Sequence, residues 1–329
     1  MADRSGLTRI LRRLPTWRGV VILGYHRIGD PLDSELDHGL FSASAAAFDT
    51  QLKILARHFD VLTLDELEDG LAGRRGRAVL ITFDDGYRDQ ATTAASLLRA
   101  RGLPATFFLT TGFLDGHGLA WWDEIAWLVR HSPATVLRAD TRWLPAPVPI
   151  PALQHEREPD IRTLLARYRE LHAASGPDFL EHLAEVAGTG RAPDVSDLWM
   201  TWDQARGLIA AGMDVGGHTV THPILARLDS RGQQREIAEC LTCLEQELGS
   251  GYRRAFAYPS GHAGSFDAQT ADLLRGEDVR WAFSFRGGWE GRGHSDRYDL
   301  RRLGVFTTDP SPVIAARVTL PWALARETL

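Results

Sequence analysis

Cysteine is scarce in this 329-residue sequence, which contains only Cys240 and Cys243. Both lie in a stretch whose apolar residues recur at helical spacing, so a helix is predicted there. A redox pair is expected at a helix N-terminus rather than within a helix, and a structural zinc site needs two more ligands. We therefore expect two ordinary thiols and no disulfide framework.

Long apolar runs are also absent. No stretch approaches the roughly twenty apolar residues of a membrane-spanning helix. The run at residues 20–23 follows an arginine-rich start but is too short for a secretion signal and lacks a cleavage site. The N-terminal basic segment, residues 1–18, is expected to form a solvated helix, with peripheral membrane contact as the alternative. The expected location is the cytoplasm, either free or at the inner face of the membrane.

A basic surface for nucleic acid is missing as well. The chain has 37 Lys and Arg against 43 Asp and Glu, a net charge of -6, and its basic residues are spread along the chain beyond the N-terminus. Nucleic acid is therefore not an expected partner. Hydrophobic residues make up 44% of the chain, enough to bury a large core, so a soluble globular protein is predicted.

Short apolar segments alternate with helical patterns, which is typical of βα units around a parallel sheet. Several of these segments are apolar on both faces, as buried parallel strands are. Seven or eight such units would close into an α/β barrel covering residues 19–329. The predicted strands are residues 20–25, 61–64, 78–83, 105–110, 213–217, 255–259, 281–285 and 303–306.

One region, about residues 112–200, shows no clear strand. A segment of this length between two strands predicts an inserted, mainly helical lobe. We expect it over the carboxyl-terminal face of the barrel, where active sites of such folds are built. Most of its tryptophans should form the lobe's own core, and one or two could stack on a sugar. They are Trp121, Trp122, Trp127, Trp143 and Trp199.

Two adjacent carboxylates, Asp84 and Asp85, end a predicted buried strand and precede Gly86. Glycine permits a turn there, so both carboxylates can reach one cleft. The charge of one would raise the pKa of the other unless a divalent cation is bound. His218 and His222 follow another predicted strand and offer further ligands. Two imidazoles and one carboxylate leave positions open for water and substrate, as catalytic metal sites need.

Two other strand ends carry candidate residues. Tyr258, Pro259 and Gly261 end one strand, where a backbone N–H can be directed at a developing oxyanion. His26 ends the first strand and could act as a general acid. Alone, Tyr258 could be a packing residue and His26 a hydrogen-bonded core histidine. Their convergence on one rim of the barrel favours the functional interpretation.

The motifs TFDDGY, HTVTH and YPSG resemble the first three motifs of the polysaccharide deacetylases of carbohydrate esterase family 4, the NodB-homology domain. The match covers roughly residues 20–306 in motif order. The resemblance implies a distorted (β/α)7-8 barrel that removes acetyl groups from N-acetylglucosamine polymers or acetylated xylan. It also implies one divalent metal ion, with zinc as the first choice and Co2+, Ni2+ or Fe2+ as alternatives.

The same resemblance assigns roles to individual residues. Asp84 would be the catalytic base, and the backbone of Tyr258 would form part of the oxyanion hole. The implied metal ligands are Asp85, His218 and His222.

The sequence departs from the commonest pattern of this family in two ways. No C-terminal Leu-x-x-His motif supplies an acid, whereas YHRI near the N-terminus is similar to the permuted branch that includes poly-N-acetylglucosamine deacetylases. In that branch the acid precedes the aspartates, which implies His26 as the acid. For the arginine that orients the base, Arg254 and Arg302 are both candidates.

The predicted function is metal-dependent removal of acetyl groups from N-acetylated sugars in exopolysaccharide or cell-envelope polysaccharide synthesis. The expected partner is an acetylated oligo- or polysaccharide, either free or lipid-linked. One alternative is a C–N hydrolase acting on a small non-sugar amide, against which the tryptophan-rich lobe argues. The other is a non-catalytic carbohydrate-binding protein on the same scaffold, against which the paired aspartates argue, since binding needs no base beside a metal.

Overall fold

The computed structural model describes residues 17–193, 195, 197–291 and 295–324. The membrane contact expected of the N-terminal basic segment falls on residues that lie almost wholly outside this range. Among the described residues, no helix combines the length and apolar character needed to cross a membrane.

Seven parallel strands close into a barrel, because the first strand pairs with both the second and the last. Their residues are almost all buried, which explains why they read as continuous apolar runs. The predicted α/β barrel is thus confirmed, with seven strands. In chain order they are β1 (Gly19–Tyr25), β2 (Arg77–Phe83), β3 (Thr106–Leu109), β4 (Asp214–Gly217), β5 (Ala255–Ala257), β6 (Trp281–Ser284) and β7 (Leu300–Gly304).

The predicted strand at residues 61–64 is not a stave of the barrel. Only Asp60–Val61 is extended, and it pairs with β2 outside the closed ring. The remaining residues enter a helical turn, where Thr63 and Glu66 form a capping box. Other short strands of the described chain are Arg27–Ile28, Phe41–Ala43, Val136–Leu137, Val148–Pro149 and Glu290–Gly291.

Helices surround the barrel and build the inserted segment. A capping box of Thr201 and Gln204 begins one of them. Cys240 is buried and Cys243 half-buried on another, and both are free thiols. The α-helices of the described residues are α1 (Ala45–His58), α2 (Leu67–Leu71), α3 (Ala95–Ala100), α4 (Thr111–Leu114), α5 (Trp121–His131), α6 (Glu158–Glu170), α7 (Gly176–Ala187), α8 (Trp202–Ala210), α9 (Ser230–Leu248), α10 (Ala268–Gly276), α11 (Ser311–Thr319) and α12 (Pro321–Leu324).

The segment between β3 and α8 forms a lobe with its own hydrophobic core, in which α5 packs against α6 and α7. Four tryptophans are buried in that core, as expected for most of them. Tyr87 lies in the loop after β2, but its side chain belongs to the lobe core. Its ring packs on that of Trp199 with centroids 4.5 Å apart. The lobe is therefore fixed to the rim of the barrel where the two aspartates lie.

Candidate active site

Three predicted metal ligands meet at the carboxyl-terminal rim of the barrel. Asp85 follows β2, and His218 and His222 follow β4. The Nε2 atoms of both histidines lie 3.4 Å from Asp85 Oδ1, and all three side chains are buried. Asp85 Oδ1 and His222 Nδ1 have no hydrogen-bond partner among the described residues. A buried carboxylate oxygen without a donor is costly, and the three residues offer ligand atoms that could hold a metal ion.

The orientation of His218 supports a role as a ligand. Its Nδ1 lies 2.7 Å from the carbonyl oxygen of Ala257. A carbonyl can only accept, so Nδ1 carries the hydrogen and Nε2 presents its lone pair toward Asp85. Burial opposes protonation, but the charges of Asp84 and Asp85 raise the pKa of His218. A cation that binds here would therefore compete with a proton for Nε2.

His222 is already in the form that binds metals. Burial, reinforced by His218, lowers the pKa of His222 to about 3. Neutral imidazoles with one carboxylate form the donor set of catalytic zinc and non-haem iron sites, so these residues fit a divalent cation.

Strained backbone conformations are concentrated in this cluster. Asp85 has φ +80°, Thr219 φ +70° and His222 φ +56°, all in the left-handed region that residues with a Cβ rarely adopt. The Thr219 hydroxyl accepts a hydrogen bond from the His222 N–H at 3.0 Å. Such strain persists only where the surroundings impose it, and it is common at functional sites.

Asp84 is held by Arg302, which projects from β7 and is fully buried. The guanidinium makes a two-point contact with Asp84, with Nη1 to Oδ1 at 2.6 Å and Nη2 to Oδ2 at 2.7 Å. It also donates to Ser284 O at 3.2 Å. Burial alone would raise the pKa of Asp84, but Arg302 and then His218 outweigh it and lower the pKa to about 2. Asp84 is thus an ionised, oriented carboxylate beside the cation site.

Arg254, the other candidate for this role, does not reach Asp84. It precedes β5 and donates to Glu277 O at 2.8 Å, and its half-exposed side chain pairs with Glu245. The start of a parallel strand lies at the opposite end of the barrel from the rim, which excludes this candidate.

The expected oxyanion donor also needs correction. The N–H of Tyr258 donates to Phe283 O at 3.0 Å, and its ring stacks on Phe266 with centroids 3.8 Å apart. This hydrogen bond of the barrel leaves the Tyr258 N–H unavailable to a substrate.

The turn after β5 offers a different donor, Ser260. It lines the cavity of the cluster with φ +60°, and its N–H has no acceptor within the described chain. The Gly261 N–H contacts Pro259 O at 2.7 Å, and a Cβ on Gly261 would lie 2.6 Å from Phe285 N. Pro259 and Gly261 therefore shape the turn. In the sequence, Ser260 could have been identified as a candidate because it follows a proline at the end of a predicted strand.

Two histidines besides the candidate ligands line the same cavity, which has a volume of about 320 Å3. His26 is fixed by a hydrogen bond from its N–H to Ser42 Oγ at 2.9 Å, and its ring lies 5.4 Å from that of Phe285. His262 was not predicted from the sequence. Burial, with help from Arg169, lowers the pKa of His262. This shift disfavours the protonated form that a general acid needs, which argues against His262 as the acid.

The lobe closes the site from above with a hydrogen-bonded network. The Trp122 ring packs edge-on against His222 at 4.4 Å, and its Nε1 donates to the Tyr87 hydroxyl at 2.7 Å. That hydroxyl donates to Asp123 Oδ2 at 2.6 Å. Burial raises the pKa of Asp123 to about 7. The network ties the position of a candidate metal ligand to the lobe.

Comparison with known sequences is consistent with this geometry. The sequence profile of the family described as polysaccharide deacetylase matches residues 72–142 and 166–284, more than half of the chain. The matched ranges include both aspartates, both histidines and the turn after β5. Among curated proteins, none matches the chain significantly.

Solved structures share the fold at low sequence identity. The deacetylase PplD from Streptococcus pyogenes, in complex with acetate, is 17% identical over 92% of this chain and 98% of its own, with a TM-score of 0.59. IcaB from Ammonifex degensii is 22% identical over the same shares, with a TM-score of 0.57. The BpsB deacetylase domain from Bordetella bronchiseptica is 16% identical over 88% and 96%, with a TM-score of 0.53. These likenesses establish a common barrel architecture.

Proposed function

The chain belongs to the polysaccharide deacetylase family, and from this premise we propose that it removes acetyl groups from N-acetylglucosamine-type sugars with one divalent cation. Asp85, His218 and His222 would hold the cation, with zinc as the first choice. The reaction would serve exopolysaccharide or cell-envelope polysaccharide synthesis, on a free or lipid-linked saccharide. The names of the structural relatives PplD, IcaB and BpsB, two of them called deacetylases, are consistent with this proposal.

One observation carries the proposal. The ionised carboxylate of Asp84 lies beside the three candidate metal ligands but is not one of them. Asp84 Oδ2 lies 3.9 Å from His218 Nε2, while both Asp84 oxygens are engaged by Arg302. A binding protein needs no such carboxylate, whereas amide hydrolysis needs a base for water.

In the first half of the reaction, Asp84 accepts a proton from the water whose oxygen bonds to the acetyl carbonyl carbon. The Arg302 contacts keep that carboxylate oriented and ionised. When bound, a divalent cation supplies Lewis acidity, which acidifies water and polarises a carbonyl oxygen. The Ser260 N–H would donate to the oxygen on which negative charge develops.

In the second half, the carbon–nitrogen bond breaks and His26 donates a proton to the departing nitrogen. The products are acetate and a free amine. His26 lines the same cavity as Asp84, whereas burial disfavours the protonated form of His262, the other histidine there that is not a candidate ligand.

A sugar substrate is favoured by the aromatic side chain that borders the cavity. Trp121 lines it from α5, and its ring is held by a parallel stack on Tyr168 at 4.2 Å and an edge contact with Trp122 at 5.2 Å. An indole held in this way offers a rigid apolar surface to a sugar ring.

Acetate release from N-acetylglucosamine oligomers tests the proposal. The purified protein should release acetate, lose the activity when a chelator removes its metal, and regain it on addition of Zn2+. Release that persists after verified metal removal would contradict the cation assignment. Absence of release from every oligomer and lipid-linked saccharide by metal-loaded protein would contradict the proposed reaction.

A further inference from the structure

Two arginines of the lobe line the same cavity as the reaction centre. Arg162 and Arg169 are seven residues apart on α6, and Leu165 between them also lines the cavity. A spacing of two helical turns places both arginines on one face, about 10 Å apart along the axis. Both side chains are exposed to solvent, so they are available to a ligand that enters the cavity.

Neither guanidinium has a hydrogen bond or an ion pair within the described chain. Neighbouring arginines differ: Arg157 donates to four carbonyl oxygens, and Arg167 donates to Trp143 O and pairs with Glu170. Arg169 packs over an aromatic ring, because its Cζ lies 5.6 Å from the centroid of Trp121. The two arginines that face the cavity thus make no contact ion pair within the described chain.

Three carboxylates line the cavity, and none of them is within ion-pair distance of Arg162 or Arg169. Asp84 is paired with Arg302, and Asp85 faces the two histidines. Asp37 is buried and accepts a hydrogen bond from Gly39 N at 2.8 Å, and its charge favours the charged form of Arg169 without a direct contact. A divalent cation at the site would add further positive charge. The lobe side of the cavity therefore presents two guanidinium groups that no carboxylate of the described chain contacts.

We propose that Arg162 and Arg169 form a subsite for an oxyanion carried by the N-acetylated substrate. The oxyanion would be a carboxylate on a neighbouring sugar or a phosphate at the end of a saccharide precursor. Arginine suits both groups, since its planar set of donors can contact two oxygens at once. This subsite rests on the proposed function, because it assigns the substrate class of the same cavity.

Three N-acetylglucosamine oligomers of equal length test the subsite: one neutral, one carboxylated and one phosphorylated. The double variant R162Q/R169Q removes both charges from exposed positions. The matched control R57Q/R231Q removes two exposed arginines of α1 and α9 that line neither this cavity nor the one beside it. The measured quantity is kcat/KM for each oligomer at low and high salt.

We expect the wild-type protein to prefer one or both anionic oligomers. R162Q/R169Q should lose about tenfold in kcat/KM on the preferred anionic oligomer and less than about twofold on the neutral one, because a charge-assisted contact is lost. High salt should reduce the preference of the wild-type protein but not that of the variant. A preference for the carboxylated or the phosphorylated oligomer identifies the source of the oxyanion.

Equal losses on neutral and anionic oligomers, or no preference in the wild-type protein, would overturn the subsite. Failure of the proposed function has a different signature, namely no acetate release from any oligomer. In that case the subsite is tested by calorimetric affinities for the same oligomers. Weaker binding of the anionic oligomers by R162Q/R169Q, but not by the control R57Q/R231Q, would support the subsite. Equal affinities of R162Q/R169Q and the wild-type protein would overturn it.

Discussion

The barrel rim and the lobe contribute to one cavity in different ways. At the rim, Asp84 and Arg302 are buried and bonded to each other, and Asp85 has a backbone conformation that costs free energy. On the lobe, Arg162 and Arg169 are exposed and unpaired within the described chain. The rim therefore holds its reactive side chains in fixed positions, whereas the lobe presents charged side chains that are available to bind a ligand. We infer that the rim fixes the reaction and the lobe selects the substrate.

Outside the aspartate pair, the largest loss of rate is expected at the rim residue His26. H26Q should lower the turnover of an N-acetylglucosamine oligomer by about 10²- to 10⁴-fold, because the leaving nitrogen loses its proton donor. An activated aryl acetate should be affected far less, because its phenolate departs without a proton. The measurement is kcat for both substrates. The control H262Q should lose only a few-fold, and a larger loss in H262Q than in H26Q would reverse the acid assignment.

Arg302 should determine the stability of the rim. R302M leaves the Asp84 charge buried without a partner, which should cost about 3–5 kcal/mol in the free energy of unfolding at pH 7. In the wild-type protein the pKa of Asp84 is lowered from 3.8 to about 2, so its stabilisation is present above about pH 4 and is lost as the pH falls towards 2.

In R302M, Asp84 can instead take up a proton, so the difference from wild type should narrow as the pH is lowered. Urea unfolding over a pH series measures this. R254M, at the half-exposed alternative position, should cost less than about 1 kcal/mol. Equal costs for the two variants would contradict the assignment of Arg302.

The turn that presents the Ser260 N–H can be tested with a matched pair of glycines. Gly261 and Gly264 both have positive φ, so alanine costs backbone strain of about 1 kcal/mol at each. Only at Gly261 would the new Cβ meet a neighbour, Phe285 N at 2.6 Å, whereas Gly264 has open space. G261A should lose about tenfold or more in kcat, and G264A should keep wild-type activity. Equal activity of both variants would show that this turn does not matter for the reaction.

A smaller effect is expected where the lobe supports the rim. W122F removes the hydrogen bond to Tyr87 and part of the ring that packs on His222, so the affinity for Zn2+ should fall about tenfold. W127F changes a tryptophan on the same helix that packs on His131 instead, and should leave the affinity unchanged. Competition with a chromophoric chelator measures both values. Unchanged affinity in W122F would confine the lobe to substrate binding.

The sequence predicted the parts of the molecule that depend on local patterns. The barrel strands are recognisable because they are apolar on both faces, and the candidate site residues because they end such strands. The left-handed conformations of Asp85 and His222 were not predictable, since the surrounding fold imposes them on residues that disfavour them.

The remaining differences depend on long-range geometry. Arg254 and Arg302 look equivalent in sequence, but one precedes its strand and the other points into the barrel from β7. We expected the Tyr258 N–H to face the substrate, but it donates to Phe283 O beside the pairing of β5 with β6. The Ser260 N–H is therefore the free donor. The placement of Arg162 and Arg169 over the cavity depends on how the lobe packs, which no local pattern specifies.

The division of labour between Asp84 and Asp85 is tested most directly by measuring metal content and acetate release on D84N and D85A side by side. We expect D84N to retain about one equivalent of metal and to lose about 10²- to 10⁴-fold in turnover. D85A should lose the metal, and its activity with it, while both variants keep the far-ultraviolet spectrum of the wild-type protein. Loss of metal from D84N together with full retention by D85A would contradict the assignment of base and ligand.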